Sequence, residues 1–309
     1  MKKFREIAML VIAFVLVPSL VCFDAAYAEM QAPTSAAGNG GQARKVTEKP
    51  EWGKYFGKLN GAAVIYAPSE NSVEIYNAKL AGERRPPCSS FKIISSLTAI
   101  EHGIIRPDDS VRKWSGEKFW YDGWNRDIDF YDAFRSSCVW YFREVTDEIG
   151  EETMKKELDR LRYGNCDISD WEGRMNTNDD NRALTGFWIE SSLKISPLEQ
   201  AEVMERIFGG GSEYSPSTLA ALKKAMLTYE DENVKIYGKT GLGKDYDTTV
   251  DAWFTGFAEV RGERLYFCVY LGECEEEEPT SAKAKEIAIT LILNIFNHLK
   301  NSQLSQKFR

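Results

Sequence analysis

Residues 84–103, RRPPCSSFKIISSLTAIEHG, place a serine, Ser89, three positions before a lysine, Lys92. Two prolines precede this pair, and apolar residues recur at helical spacing after it, which predicts a helix that ends near Gly103. Residues three apart on a helix share one face, about one turn apart. The stretch therefore suggests a serine nucleophile beside a lysine that can serve as its base.

A serine hydroxyl is a weak nucleophile unless a neighbouring base accepts its proton. The chain has two histidines: His102 lies at the far end of the same predicted helix, and His298 in an amphipathic C-terminal segment. Neither position suits a Ser-His-Asp triad, so Lys92 is the predicted base. An ordinary lysine, with a pKa of about 10.4, is protonated at neutral pH. Burial in an apolar pocket would lower that pKa, because desolvation disfavours the ammonium.

An SxxK motif alone is common by chance, and two further motifs strengthen it. The segment YGKTGLG (237–243) is predicted to be a strand on which Lys239 and Thr240 can donate to a substrate carboxylate. Gly241 allows close approach of the backbone, and such a strand edge can supply an N–H group to an oxyanion hole. Between these motifs, SSCV begins a helix with Ser137. This order of motifs is that of penicillin-recognising serine enzymes.

The pattern of apolar residues predicts strands near both ends of the chain and helices between them. Residues 61–78 read as two strands joined by a polar turn, and strands return from residue 234, with a hairpin at RGE. A last helix is predicted over 282–299. We expect an α+β fold, in which an antiparallel sheet from the N- and C-terminal segments is flanked by helices, with a helical region inserted between them.

The N-terminus has the features of a targeting segment. Basic residues precede a short apolar run that Pro18 interrupts, and small residues follow at Ala26 and Ala28. We expect a signal peptide at 1–28, a flexible leader at 29–50 and one folded domain at 51–309, secreted across the inner membrane into the periplasm. A retained single-span anchor is the alternative, and the shortness of the run argues against it.

The composition limits the classes of partner. The net charge of −8 argues against nucleic acid and against an anionic membrane surface. Five of the six cysteines follow the signal segment, and their spacing is not that of a disulfide framework. The acidic run at 273–279 is interpreted as a solvated loop, and no metal site is predicted. The sequence leaves the oligomeric state open.

From about residue 51 onward, the sequence resembles the class D (oxacillinase-type) serine β-lactamases. Five short motifs occur in order: PCSSFKI, SCV, YGN, FWIESSLKISPLEQ, and GKTG followed by AWFTGF. The resemblance implies that Ser89 attacks the β-lactam carbonyl and becomes acylated, and that Ser137 relays a proton towards the leaving nitrogen. It also implies an oxyanion hole formed by the backbone N–H groups of Ser89 and Leu242. Lys239 and Thr240 would bind the carboxylate of the drug.

The middle motif separates this family from its relatives. Class A enzymes and transpeptidases place an asparagine two residues after the serine, where this chain has Val139. Valine removes a hydrogen-bond partner of Lys92 and dries the pocket, and a dry, neutral lysine can react with carbon dioxide to form a carbamate. The resemblance implies that Lys92 is carboxylated by carbon dioxide or bicarbonate, serves as general base in both half-reactions, and is held by the N–H of Trp188.

One position departs from the family pattern. These enzymes commonly have an arginine just before the last helix that anchors the substrate carboxylate, and here the segment SAKAKEIA offers Lys283 or Lys285. Lysine lacks the bidentate fork of arginine. The β-lactam spectrum, including carbapenems, is therefore left open.

Three other functions compete with hydrolysis. Penicillin-sensing receptor domains resemble class D enzymes and acylate without turnover, but full receptors carry a multi-span membrane part with a metalloprotease, which we do not find in this sequence. A peptidoglycan transpeptidase is disfavoured by Val139 and by the single compact domain. A non-catalytic secreted binding module would leave the ordered motifs without a purpose.

Overall fold

A computed structural model describes residues 44–177 and 179–307 of the chain, and its centre is a seven-stranded sheet in the order β1-β3-β2-β7-β6-β5-β4. All neighbouring strands are antiparallel except β1 and β3, which are parallel. The strands are β1 (Lys45–Glu48), β2 (Gly61–Ala67), β3 (Ser72–Tyr76), β4 (Leu227–Glu230), β5 (Val234–Asp245), β6 (Thr248–Val260) and β7 (Glu263–Gly272).

The described part of the chain also contains α-helices and short 3₁₀ helices. The α-helices are α1 (Gly53–Phe56), α2 (Ala78–Gly82), α3 (Lys92–Glu101), α4 (Phe130–Arg135), α5 (Val139–Ile149), α6 (Glu151–Leu161), α7 (Pro197–Phe208), α8 (Pro216–Met226) and α9 (Ser281–Lys307). The 3₁₀ helices are Pro50–Trp52, Pro68–Glu70, Cys88–Phe91, Asp122–Trp124 and Arg182–Leu184.

The two faces of the sheet bury two separate apolar cores. Side chains alternate along a strand, so Phe254 and Phe267 pack with α9 on one face. Trp253 and Tyr266 point to the other face, where they join the core of the helical region α3–α7. The predicted fold class, a sheet from the N- and C-terminal segments with helices inserted between, is confirmed.

Local sequence signals explain several element boundaries. Helix α7 begins with a capping box, in which the Ser196 side chain accepts from the Glu199 amide and the Glu199 carboxylate accepts from the Ser196 amide. Strands β6 and β7 are joined at Arg261 and Gly262, both with positive φ (52° and 90°). That conformation belongs to the tight turns whose twist matches a hairpin.

The N-terminal boundary of the fold differs from the prediction. Strand β1 lies within residues 29–50, which were expected to be a flexible leader, so that expectation is wrong for the last part of this range. The main chain of β1 pairs with β3 although its own side chains are exposed or half-buried. The predicted signal peptide and the earlier part of the leader lie outside the described residues. Within the described ranges, no helix is both long and apolar enough to span a bilayer.

Candidate active site

The predicted nucleophile and base meet at the start of α3. Ser89 lies in the 3₁₀ helix Cys88–Phe91, which continues into α3 at Lys92. The Lys92 Nζ atom is 3.0 Å from the Ser89 Oγ atom. Because the lysine side chain is only 1% exposed, its amine meets the serine hydroxyl out of bulk water.

Burial makes the neutral form of Lys92, which can accept a proton, available at a lower pH than in an ordinary lysine. Desolvation lowers the pKa of Lys92 to about 8, and the thiols of Cys138 and Cys88 act in the opposite direction. Burial raises the pKa of the Cys138 thiol to about 11 and that of Cys88 well above its usual value. Both thiols are therefore uncharged at neutral pH, and desolvation dominates the behaviour of Lys92.

A second lysine joins the remaining motifs. The Lys239 ammonium on β5 donates to Ser137 Oγ, and its Nζ lies 3.1 Å from the carbonyl oxygen and 3.3 Å from the Oγ1 of Thr240. Ser137 lies in the turn between α4 and α5 with a φ of 56°. Burial lowers the pKa of Lys239 well below its usual value, and the nearby charge of Lys92 lowers it further. The structure thus brings the SxxK, SSCV and KTG motifs into one site.

Strand β5 closely approaches the 3₁₀ helix Cys88–Phe91, the serine turn, which carries Ser89. A β-carbon added to Gly241 would lie 2.8 Å from the carbonyl oxygen of Pro87 and 3.2 Å from the amide nitrogen of Ser90. From the neighbouring strand, Trp253 Nε1 donates to the Pro86 carbonyl at 3.0 Å. Any side chain at residue 241 would therefore push β5 away from the turn that carries the nucleophile.

The two predicted oxyanion donors lie on facing elements. Ser89 is in the first turn of its 3₁₀ helix, where N–H groups have no acceptor within the helix. Leu242 follows Gly241 on β5. Strand β4 pairs with β5 only as far as Tyr237, so the edge of β5 beyond that residue is open towards the serine turn.

Trp188 lies against the same turn and carries a buried indole N–H group. Its carbonyl accepts from the Cys88 amide at 2.9 Å, and its indole stacks on Phe91, with ring centroids 5.7 Å apart. The Nε1 atom of Trp188 is buried without a hydrogen-bond partner among the described residues. An unsatisfied buried donor costs about 1–3 kcal/mol. The site therefore contains a donor that is ready for an acceptor.

The YGN motif lies beneath the turn as a support. Gln200 Nε2 donates to Tyr163 Oη at 3.3 Å and to Ser90 Oγ at 3.1 Å, and Ser90 Oγ donates to the Pro87 carbonyl at 2.7 Å. Asn165 Nδ2 donates to the carbonyl of Ser192, in the loop after Trp188, at 2.8 Å. These contacts fix the backbone around Ser89 rather than face a substrate.

Two predicted substrate-binding residues lie at the ends of helices. Val139 is the first residue of α5 and packs half-buried against the core. Lys283 is in the first turn of α9, and its Nζ lies 3.1 Å from a carboxylate oxygen of Glu286. No contact among the described residues joins Lys283 to the KTG motif, so its role as carboxylate anchor stays a prediction.

The sequence analysis missed Glu190, which ties the Trp188 loop to β5. Its carboxylate accepts from the Lys244 amide, and the other oxygen accepts from Asn176 Nδ2 at 3.3 Å. Burial raises the pKa of Glu190 to about 7, and the charges of Asp251 and Asp245 add to this effect. Glu190 is a single residue in an irregular loop, with a φ of 47°. No periodic pattern in the sequence therefore indicates this contact.

Known proteins share this arrangement of sheet, turn and motifs. Residues 58–293 match the family described as "Penicillin binding protein transpeptidase domain". The regulatory protein BlaR1 of Bacillus licheniformis is 29% identical over 247 residues, which are 79% of this chain and 39% of BlaR1. The chain thus spans well under half the length of that relative.

Two solved structures are similar in both fold and sequence. A class D β-lactamase from Bacillus subtilis has a TM-score of 0.68 at 30% identity, covering 78% of this chain and 93% of that one. The C-terminal domain of the Bacillus licheniformis BlaR penicillin-receptor has a TM-score of 0.71 at 27% identity, covering 84% and 98%.

A serine three residues before a buried lysine, facing a Lys-Thr-Gly strand, defines a serine domain of the penicillin-binding type, and the chain belongs to the penicillin-binding protein transpeptidase domain family. Within that family, its relatives are the class D β-lactamases and the BlaR penicillin-sensor domains.

Proposed function

We propose that this protein is a class D serine β-lactamase that hydrolyses β-lactams through an acyl-enzyme at Ser89, with N-carboxylated Lys92 as its general base. The observation that carries the proposal is the buried N–H of Trp188, which has no partner among the described residues and lies beside the turn that precedes Lys92, a buried lysine with a pKa of about 8. A site whose base is the free amine of Lys92 would not need the Trp188 N–H as a donor.

The residues divide the acylation step among them. Ser89 Oγ attacks the lactam carbonyl while the base carried by Lys92, whose Nζ atom lies 3.0 Å from Oγ, takes its proton. The N–H groups of Ser89 and Leu242 receive the negative charge that develops on the carbonyl oxygen. Ser137 relays a proton to the leaving nitrogen, and the adjacent Lys239 N–H groups and Thr240 hydroxyl donate to the carboxylate of the drug.

The residues around Lys92 suit a carbamate. Its amine is buried and has no carboxylate partner among the described residues, and at a pKa of about 8 an appreciable fraction is neutral at neutral pH. The Trp188 N–H would hold the carbamate, and the negative charge of the carbamate would favour the protonated form of Lys239. When formed, the carbamate supplies a base that also activates water for deacylation.

The proposal is tested with purified protein, a chromogenic cephalosporin and benzylpenicillin. We expect steady turnover that continues well beyond one equivalent of product, and a transient acyl adduct on Ser89 by mass spectrometry. The Ser89→Ala variant should form no adduct. Absence of both turnover and adduct in the wild-type protein would refute the assignment.

A penicillin sensor is the second candidate, because the BlaR receptor domain is as similar in fold as the class D enzymes. A sensor would release one equivalent of product in a burst and then remain acylated. The same experiment therefore separates the two functions by the amplitude of the burst and the slope after it.

We also propose that the protein is exported to the periplasm, on the basis of the basic, apolar and small-residue pattern of residues 1–28. N-terminal sequencing of protein recovered from cell fractions should show cleavage after Ala28. Recovery of uncleaved chain in the membrane fraction would instead indicate a retained anchor.

A further inference from the structure

Arg143 is a buried cation that lies over the indole of Trp188. It is on α5, one turn after Val139, and only 2% exposed. Its guanidinium carbon is 5.3 Å from the centroid of the Trp188 ring and 5.4 Å from that of Trp171. Both distances are within the range at which a cation is attracted by the face of an aromatic ring.

Hydrogen bonds fix the guanidinium in this position. Its Nη1 donates to the Trp171 carbonyl at 2.9 Å, and its Nε lies 3.3 Å from a carboxylate oxygen of Asp147. Asp147 also accepts from Arg182, which in turn pairs with Glu172. A charge buried this deeply is tolerated only when it is paired and hydrogen-bonded, and this network meets both conditions.

The same indole is packed by aromatic neighbours. Phe91, the residue before Lys92, stacks on Trp188 at an interplanar angle of 24°, and Phe187 meets it edge-on with centroids 5.1 Å apart. The plane of the ring, and with it the direction of the unpartnered N–H, is therefore set by contacts that surround Trp188. Arg143 is the charged member of this set.

We propose that Arg143 is a positioning residue that holds the Trp188 indole and strengthens its N–H as a donor to the group on Lys92. A cation over the ring face draws π-electron density towards itself, which makes the indole N–H more acidic. Among the described residues, no contact joins Arg143 to Lys92. This inference rests on the proposed carboxylation of Lys92.

The test measures the bicarbonate concentration that gives half-maximal activity at fixed pH in Arg143→Met and Arg143→Lys. Methionine keeps much of the volume and removes the charge, so we expect the half-saturating bicarbonate to rise about tenfold. Lysine keeps a cation on the same helix and should restore part of the difference. Carbon-13 NMR with labelled bicarbonate reports the carbamate directly, without relying on activity.

Arg112→Met is the matched control. Arg112 also lies over an aromatic ring of α5, 5.2 Å from the centroid of Tyr141, and donates to Glu148 at 2.9 Å, but has no contact with Trp188 among the described residues. Its half-saturating bicarbonate should equal that of the wild type. Thermal unfolding measurements show whether each variant folds. If Arg143→Met does not fold, the half-saturating bicarbonate of Arg143→Lys is compared with that of the wild type.

The outcomes separate the two proposals. A wild-type protein with neither a carbamate signal nor a response to bicarbonate would overturn carboxylation, and with it the role of Arg143. A clear wild-type carbamate signal, combined with unchanged half-saturation in both Arg143 variants, would overturn the role of Arg143 alone.

Discussion

Lys92 Nζ and Ser89 Oγ lie 3.0 Å apart across a single helical turn, and the lysine is almost completely buried. We expect Lys92→Ala to slow acylation by about 10²–10⁴-fold, because a positioned general base contributes about that much. Rapid-mixing mass spectrometry of the penicillin adduct measures the rate. Lys235→Ala, an exposed lysine on β5, should leave it unchanged. Equal acylation rates in wild type and Lys92→Ala would contradict the role of Lys92.

Activity without added bicarbonate should fall as the pH is lowered from 8 to 6. With a pKa of about 8, about half of the Lys92 side chains are neutral at pH 8 and about one per cent at pH 6. Only the neutral amine reacts with carbon dioxide. Initial rates across this range, with and without bicarbonate, provide the measurement. A rate that is flat with pH and indifferent to bicarbonate would speak against a carbamate.

Trp188→Phe should leave the stacking on Phe91 largely intact but remove the buried N–H. We expect a higher bicarbonate requirement and slower deacylation, so that the acyl-enzyme accumulates. Mass spectrometry under turnover conditions gives the acylated fraction. Trp114→Phe, which removes a donor to the Glu117 carbonyl in the loop between α3 and α4, serves as control. Unaltered deacylation in Trp188→Phe would show that the indole N–H has no part in the reaction.

Gly241→Ala should reduce kcat by about 10²-fold, because its methyl group would displace β5 from the serine turn, and a shift of about 1 Å can cost that much. Gly210→Ala is the control, since an added β-carbon there meets nothing within 4 Å. Steady-state kinetics and thermal unfolding of both variants separate a local displacement from a loss of fold. Wild-type kinetics in Gly241→Ala would show that the close approach is unimportant.

Glu190→Gln should gain stability relative to the wild type as the pH rises from 5 to 8. Burial raises the pKa of Glu190 from 4.5 to about 7, so between these values the folded protein keeps a proton that the unfolded chain has released. The wild type therefore loses stability progressively between pH 4.5 and about 7, and this loss is complete above that interval, whereas glutamine cannot ionise. The difference in Tm between the two proteins, measured at several pH values, should widen with pH. Glu263→Gln, exposed at the start of β7, should show no such trend.

The sequence predicted the features of the fold and site that depend on neighbours along the chain. The spacing of Ser89 and Lys92 fixes them on one helical face, and the short link RGE between two apolar runs indicates the β6–β7 hairpin. The capping box at Ser196 is likewise local. Such signals are readable because a helix or strand repeats its geometry every few residues.

The features that could not be predicted depend on contacts between distant segments. The contact between Arg143 and Trp188 joins residues 45 positions apart (188 − 143), and nothing in the helical pattern of α5 indicates it. Glu190 reaches the Lys244 amide from an irregular loop. Strand β1 carries no apolar alternation, because a parallel edge strand is held by its main chain.

The position of strand β1 also determines where a tag or solid support can be attached to this domain. It lies five strand positions from β5, about 24 Å at the usual spacing of neighbouring strands. A tag or solid support joined ahead of Arg44 would therefore lie at the β1 edge of the sheet, away from the KTG motif on β5. Immobilised protein prepared in this way should bind labelled penicillin as fast as the free form.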